Sequence, residues 1–148
     1  MLQSFVPTRQ PIALPGTSLL GLNALNLVEL GDAVQKGFQP VAVDRFAKHL
    51  NLTLGETLGL VQLSESTFHT YKRNKRAMSA DSSANLYRLA QVTEAAEQYF
   101  ESATKAHAWL QLPRVTFGNK TPLQFALLPG GAEYVITVLS RLEHGVYV

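Results

Sequence analysis

The chain has 148 residues, 46% of them apolar, which predicts one domain or two small ones with a hydrophobic core rather than a disordered chain. No apolar run approaches the roughly 20 residues that span a bilayer, and the N-terminus lacks a basic region followed by a hydrophobic one, so we expect a cytoplasmic protein without a membrane span or signal peptide. The absence of cysteine excludes disulfides and thiol catalysis, and a net charge of +2 is too small to indicate nucleic-acid binding through the overall field.

The first predicted elements are an irregular arm and two helices. Several prolines and Gly16 predict an arm without regular structure over residues 1–21. Apolar residues then recur at helical spacing over residues 22–36, and Gly37 follows as a stop. A second helix is predicted after Pro40, with its apolar positions over residues 43–50.

The next two predicted helices have the pattern of a helix-turn-helix. Thr53 and Glu56 form a capping box that begins a short helix, and Ser64 is the N-cap of the helix that follows it. Phe68 and Tyr71 lie one turn apart and predict the buried face of this second helix. A short helix, a tight turn and a capped helix with a polar outer face are typical of DNA-binding proteins.

The second of these helices carries hydroxyl groups near its start and basic groups at its end. Hydroxyls and a carboxylate can reach base edges, and basic side chains supply phosphate contacts. The alternative is a solvated helix end whose cations only complement the helix dipole. We predict DNA contacts, although Gln62 stands in the turn where a glycine would be more comfortable. The predicted contact residues are Glu65, Ser66, Thr67, Thr70, Lys72, Arg73, Lys75 and Arg76.

The remainder of the chain also predicts helices, and we find no convincing strand. A long helix is expected from Ser79 to about residue 100, and a short one from Ser102 that Pro113 ends. Thr121 caps another short helix, and a last helix covers residues 132–143. The predicted fold class is therefore all-α.

Motifs for catalysis or metal binding are missing. The histidines, His49, His69, His107 and His144, are scattered and lack the spacing of a metal site, so each is interpreted as a surface or capping residue. No Gly-x-Ser-x-Gly elbow or phosphate-binding glycine loop is present. We predict no enzyme activity, no cofactor and no metal. The aromatic and apolar residues of the C-terminal third are interpreted as a second small core, namely Trp109, Leu110, Leu123 and Phe125.

Four short motifs follow one another in the C-terminal third of the chain. They are Ala106, Trp109, Leu110 and Pro113; then Phe117, Gly118, Asn119, Thr121, Pro122 and Leu123; then Gly131, Ala132 and Val135; and finally Arg141, Leu142, His144, Gly145 and Val146. In this order and spacing they resemble the toxin-binding domain of the Xre/MbcA/ParS antitoxins. Departures are modest, since Phe117 and Asn119 replace a leucine and a glycine, and Leu128 stands where a threonine is frequent. The upstream region, including "DSSANLYRLA", resembles the Xre-like helix-turn-helix of the same family.

This resemblance implies an antitoxin encoded beside a RES-domain toxin, which is an enzyme that consumes or transfers from NAD. Members of the family usually dimerise, and the complex commonly represses its own operon. The implied organisation is a helix-turn-helix region over residues 22–101 followed by a small helical toxin-binding domain over residues 102–148. The alternative is a stand-alone helix-turn-helix repressor whose C-terminal part only forms a homodimer.

The last residues carry the predicted toxin contact. Gly145 is a helix stop, and an apolar and aromatic tail follows it. Such a tail can enter a partner's cleft, where a tyrosine buries its ring and keeps a polar tip. The alternative is a tail that folds back onto the protein's own core. The predicted toxin-binding residues are Arg141, His144, Gly145, Val146, Tyr147 and Val148.

Overall fold

The computed structural model of the chain describes residues 14–24 and 26–143, and these residues form an all-α fold. Among them, β-structure is limited to an isolated bridge between Arg114 and Lys120. None of the described helices is both long and apolar enough to cross a membrane. In chain order the helices are α1 (Thr17–Leu20), α2 (Leu27–Lys36), α3 (Val41–Leu50), α4 (Leu54–Val61), α5 (Glu65–Arg73), α6 (Ala80–Phe100), α7 (Ala103–Leu110), α8 (Pro122–Ala126) and α9 (Gly131–Glu143), with a 3-10 turn at Val115–Phe117 before α8.

The prediction for the N-terminal region was partly wrong. The helix expected over residues 22–36 begins only at α2, because the side chain of Asn26 accepts the backbone N–H of Glu29 at 2.9 Å and caps the helix there. Within the predicted irregular arm, α1 is helical and buries Leu20 against α3 and α6. The arm is therefore partly built into the fold, although residues 1–13 lie outside the described part.

The predicted helix pair around residue 62 is confirmed as α4 and α5. Both hydrogen bonds of the capping box are present: the N–H of Thr53 donates to Oε2 of Glu56 at 3.0 Å, and the N–H of Glu56 donates to Oγ1 of Thr53 at 3.1 Å. Gln62 joins the helices in the left-handed conformation, with φ of 59°, so the turn does impose the conformation that favours glycine. On the side of α5 that faces the core, Phe68 is fully buried and Tyr71 is half-buried. The opposite face of α5 is consequently left open.

The centre of the molecule is α6, which contacts helices from both halves of the chain. Its buried residues include Leu86, Leu89, Val92 and Ala96, so the helix lines the core along its middle turns. The prediction of a separate C-terminal core was wrong, because one continuous apolar cluster extends across α6. This cluster joins Phe46 and Phe68 of the N-terminal half to Trp109, Leu110, Phe117 and Leu123 of the C-terminal half.

The start of α6 is tied to the loop between α2 and α3 by a buried serine. The Oγ atom of Ser83 accepts the backbone N–H of Phe38 at 2.8 Å and donates to the carbonyl oxygen of Ser79 at 2.8 Å. The N–H of Met78 donates in turn to the carbonyl oxygen of Phe38 at 2.9 Å. The serine-containing segment that resembled the family therefore fixes how α6 leaves the helix-turn-helix.

Candidate functional site

The start of α5 presents a polar surface held by its cap. The Oγ of Ser64 accepts the backbone N–H of Thr67 at 3.2 Å and donates to the Oγ1 of Thr67 at 2.8 Å. Thr67 is therefore half-buried and committed to the cap. Glu65, Ser66 and Thr70 are exposed. The Thr70 hydroxyl donates to the carbonyl oxygen of Ser66 at 2.9 Å and keeps acceptor capacity toward solvent.

Of the basic residues at the end of α5, one forms an ion pair within the protein and three do not. The Nζ of Lys72 lies 2.5 Å from a carboxylate oxygen of Asp44 on α3 and 5.0 Å from the centre of the Phe68 ring. Arg73, Lys75 and Arg76 are exposed and form no ion pair with another described residue. The structure thus brings the predicted basic residues to one place, but it offers Lys72 a partner within the protein.

The C-terminal end of α5 closes in a Schellman motif. The N–H of Lys75 donates to the carbonyl oxygen of Lys72 at 3.2 Å, and the N–H of Arg76 donates to that of Tyr71 at 2.9 Å. Lys75 occupies the left-handed position of this motif, with φ of 51°, where glycine is the usual residue. Lys75 is therefore held in a disfavoured backbone conformation, next to the exposed side chains of Arg73 and Arg76.

The C-terminal aromatic cluster, which consists of Phe100, Trp109, Phe117, Phe125 and Tyr134, orders the second half of the chain. Phe117 lies at its centre, with ring centroids 5.9 Å from Trp109, 5.2 Å from Phe125 and 5.9 Å from Tyr134. Tilted and edge-on contacts at these separations are favourable for aromatic rings. The cluster sets α7, α8 and α9 against the end of α6.

Local backbone geometry explains why glycine stands at two motif positions, Gly118 and Gly131. Gly118 and Asn119 are both left-handed, with φ of 62° and 64°, and asparagine tolerates this conformation better than other residues with a side chain. The replacement of a family glycine by Asn119 is therefore compatible with the turn. Gly131 approaches the backbone of α8 so closely that a Cβ atom would overlap the carbonyl oxygen of Phe125. These residues shape the C-terminal unit, which consists of α7, α8, α9 and their connections.

Three large apolar side chains in the connections of this unit are exposed. Val115 is 87% exposed and Leu112 is 54% exposed, and Leu128 is also exposed. Neither Leu112 nor Val115 belongs to a helical pattern, so no periodicity in the sequence points to them; both lie close to Pro113 in the connection between α7 and α8. Arg141 is exposed near the end of α9. The other predicted toxin-binding residues, His144, Gly145, Val146, Tyr147 and Val148, lie outside the described residues.

Two histidines that are far apart in the sequence meet on one carboxylate. The Nε2 atoms of His49 and His107 lie 2.6 and 2.9 Å from the same oxygen, Oε1 of Glu97. His49 and His107 are scattered in the sequence, but the fold brings this pair together. No local pattern in the sequence indicates this meeting, because the three residues come from α3, α6 and α7.

Comparisons with known proteins match both halves of the chain. A family model of the antitoxin Xre-like helix-turn-helix domain matches residues 29–91, and a model of the antitoxin Xre/MbcA/ParS C-terminal toxin-binding domain matches residues 95–145. The chain is 34% identical over 68 residues to the Antitoxin Xre of Pseudomonas putida, across 46% of this chain and only 43% of that protein. It is 24% identical over 129 residues to the Antitoxin Xre of Yersinia enterocolitica, across 86% of this chain and 87% of that protein. The chain therefore belongs to the Xre-type antitoxins, with an Xre-like helix-turn-helix domain followed by a C-terminal toxin-binding domain.

Proposed function

We propose that this antitoxin binds and inhibits a cognate RES-domain toxin and, as a homodimer in the cytoplasm, binds operator DNA to repress its own operon. The toxin class, the dimer and the autoregulation rest on the likeness to the antitoxin family. The observation that carries the DNA-binding half is the open surface of α5 and of the turn after it, where the side chains of Arg73, Lys75 and Arg76 form no ion pair with another described residue.

The geometry of α5 supports the proposed DNA contact. Its buried face is anchored by Phe68, so the helix is fixed to the protein while its polar face is free to enter a major groove. Glu65, Ser66 and Thr70 lie on that free face and are suited to base edges and phosphates. A dimer presents two such helices and would read two half-sites.

The toxin contact is proposed at the C-terminal unit. Val115 and Leu112 expose apolar surface within the region that matches the toxin-binding family model, and Arg141 adds a cation near the end of α9. Water penalises such exposed apolar groups, so a partner that covers them gains binding free energy. We propose that Arg141 and residues 144–148, the latter outside the described part of the chain, enter or cover the active-site cleft of the toxin. We assign no catalytic activity to the antitoxin itself.

We propose that residues 22–101 bind DNA and that residues 102–148 bind the toxin. Co-purification of the full chain with a RES-domain toxin, followed by an assay of NAD consumption with and without the chain, tests the second half. Mobility shift with the promoter of the operon, at low and high salt, tests the first.

A different class of function gives a different result in the same assays. A stand-alone repressor would shift the promoter and leave NAD consumption by the toxin unchanged at every ratio of the two proteins. Loss of NAD consumption at equal concentrations, without a shift of the promoter by the chain or its complex, would instead remove the autoregulatory part of the proposal.

A further inference from the structure

We propose that His49, Glu97 and His107 form a binding site for a divalent transition-metal ion of the Zn²⁺ class, which joins α3, α6 and α7. Two imidazole nitrogens and a carboxylate oxygen are a ligand set that proteins use for zinc with a fourth position left to water. All three ligand atoms lie within 4.8 Å of one another. This inference does not depend on the toxin or on DNA.

The distances between the ligand atoms are close to those that a metal requires. Zinc binds histidine nitrogen at about 2.0–2.1 Å and carboxylate oxygen at about 2.0–2.2 Å, so two ligands of a tetrahedral ion lie about 3.4 Å apart. In the structure, Oε1 of Glu97 lies 2.6 Å from Nε2 of His49 and 2.9 Å from Nε2 of His107. Each imidazole nitrogen therefore needs to move away from Oε1 by less than about 1 Å to admit the ion, and the two nitrogens lie within 4.8 Å of each other.

The surroundings allow this adjustment. The side chains of His49, Glu97 and His107 are 38%, 26% and 17% exposed, so each is partly packed and none is enclosed. The two imidazole rings lie 5.4 Å apart at a tilt of 59°, with both Nε2 atoms directed to the same carboxylate oxygen. A small change in side-chain torsions can open the space between them.

Charge and access also favour a cation. A cleft of about 330 Å³ borders His49 and Glu97, and Ser18, Leu19 and Glu94 complete its lining. No lysine or arginine is among the described residues of this lining. Glu94 accepts the backbone N–H of Gly16 and adds a second negative charge. The cleft gives an ion and its remaining water ligands a route from solvent.

The position of the site gives it a structural consequence. His49 belongs to the DNA-binding half and His107 to the toxin-binding half, while Glu97 lies on the helix that both halves share. A bound ion replaces two hydrogen bonds by coordinate bonds and holds α3 and α7 at a fixed distance. The ion would stabilise the folded chain, since the three ligands come together only in the folded state.

The test uses the full chain without an affinity tag, treated with a chelator and then dialysed. Calorimetric titration with Zn²⁺ is expected to show one ion per chain at micromolar or tighter affinity, and Co²⁺ is expected to give the visible absorption of a tetrahedral site. Zn²⁺ should also raise the melting temperature. Each of His49→Ala, His107→Ala and Glu97→Gln should weaken Zn²⁺ binding at least tenfold, since each removes a ligand.

The matched control is His69→Ala, because His69 is exposed on α5 and does not contact the site. This variant should bind Zn²⁺ as the unaltered chain does. Since His49 is the most exposed of the three ligands, His49→Ala is the variant expected to remain folded, which circular dichroism will check. The proposal is overturned if the unaltered chain fails to bind Zn²⁺ at micromolar concentration, or if folded His49→Ala and His107→Ala chains bind it unchanged. Loss of binding only in His144→Ala would also overturn it.

Discussion

Lys75, two residues beyond the end of α5, has a backbone conformation that lysine rarely adopts. Its φ of 51° places it at the left-handed position of the Schellman motif, and this conformation costs a residue with a Cβ atom about 1–2 kcal/mol. Glycine would fit there without that cost. Strain at a single residue often accompanies a functional requirement for its side chain. For Lys75 we infer that the requirement is a contact with DNA.

Replacing Lys75 by glycine should therefore separate stability from binding. We expect Lys75→Gly to raise the free energy of unfolding by about 1 kcal/mol, because relief of the left-handed strain exceeds the added freedom of the unfolded chain. The same variant should bind operator DNA more weakly. Urea denaturation and fluorescence anisotropy measure the two effects. Lys75→Ala is the control: it removes the charge and keeps the strain, so it should lose DNA affinity without gaining stability. Unchanged DNA binding in both variants would exclude Lys75 as a contact.

Lys72 and Arg73 are adjacent cations with different surroundings. Lys72 is paired with Asp44 at 2.5 Å, whereas Arg73 forms no ion pair with a described residue. A phosphate must compete with Asp44 for Lys72, and an exposed pair of this kind contributes up to about 1 kcal/mol. We expect Arg73→Ala to weaken operator binding and to reduce the slope of log affinity against log salt by about one, with a smaller effect from Lys72→Ala.

Asp44→Asn supplies the complementary test of this pair. The substitution frees the Lys72 ammonium and removes a negative charge beside the DNA surface, so operator affinity should rise at low salt. Anisotropy titrations at several salt concentrations measure all three variants. Equal losses from Lys72→Ala and Arg73→Ala, with no gain from Asp44→Asn, would show that the ion pair does not govern access to Lys72.

At the scale of elements, helix starts were predictable where a cap has a local signature. Thr53 with Glu56, Ser64, and Thr121 with Gln124 each satisfy backbone N–H groups within their own turn, so the sequence contains the whole interaction. The start of α2 was misplaced because the apolar pattern begins before the cap at Asn26. N-cap residues in the sequence therefore predicted most helix starts in the described part of the chain.

The site was less predictable than the helices, because several of its contacts join distant segments. The pairing of Lys72 with Asp44 joins α5 to α3, and the meeting of His49 with His107 on Glu97 joins three helices. Such contacts depend on how helices pack, and no spacing in the sequence encodes them. The open face of α5 was predictable, since the buried position of Phe68 fixes which side chains point outward.

The segment after α9 is the element to which we assign the inhibitory contact. Removing residues 146–148 should weaken inhibition of the toxin by a factor of a hundred or more, since burial of each of these valine and tyrosine side chains contributes on the order of 2 kcal/mol. The measurements are NAD consumption and growth during expression of the toxin. Operator binding by the same shortened chain serves as the control and should persist, because α5 is distant in sequence from the removed residues. Full inhibition at equal concentration would move the contact to the exposed surface at Leu112 and Val115.

At the scale of the whole molecule, the two family matches meet inside one helix. The match to the helix-turn-helix domain ends at residue 91 and the match to the toxin-binding domain begins at residue 95, and both positions lie within α6. Leu86, Leu89 and Ala96 belong to the same apolar cluster as the aromatic residues that follow them. The two functional parts therefore share their core, and we infer that neither folds alone.

A chain that can be cut between residues 101 and 102 tests this inference. We expect the uncut chain to unfold in one cooperative transition, as small chains with a single core do. After cutting, the halves should stay associated through α6 and the C-terminal aromatic cluster, and the melting temperature should depend on concentration because unfolding now separates two molecules. The isolated fragment 102–148 should lack cooperative unfolding, since it has lost the helix that covers Trp109 and Leu123. The uncut chain with the same inserted cleavage site controls for the insertion. A fragment 102–148 that melts cooperatively and still binds the toxin would show that the toxin-binding part is an independent domain.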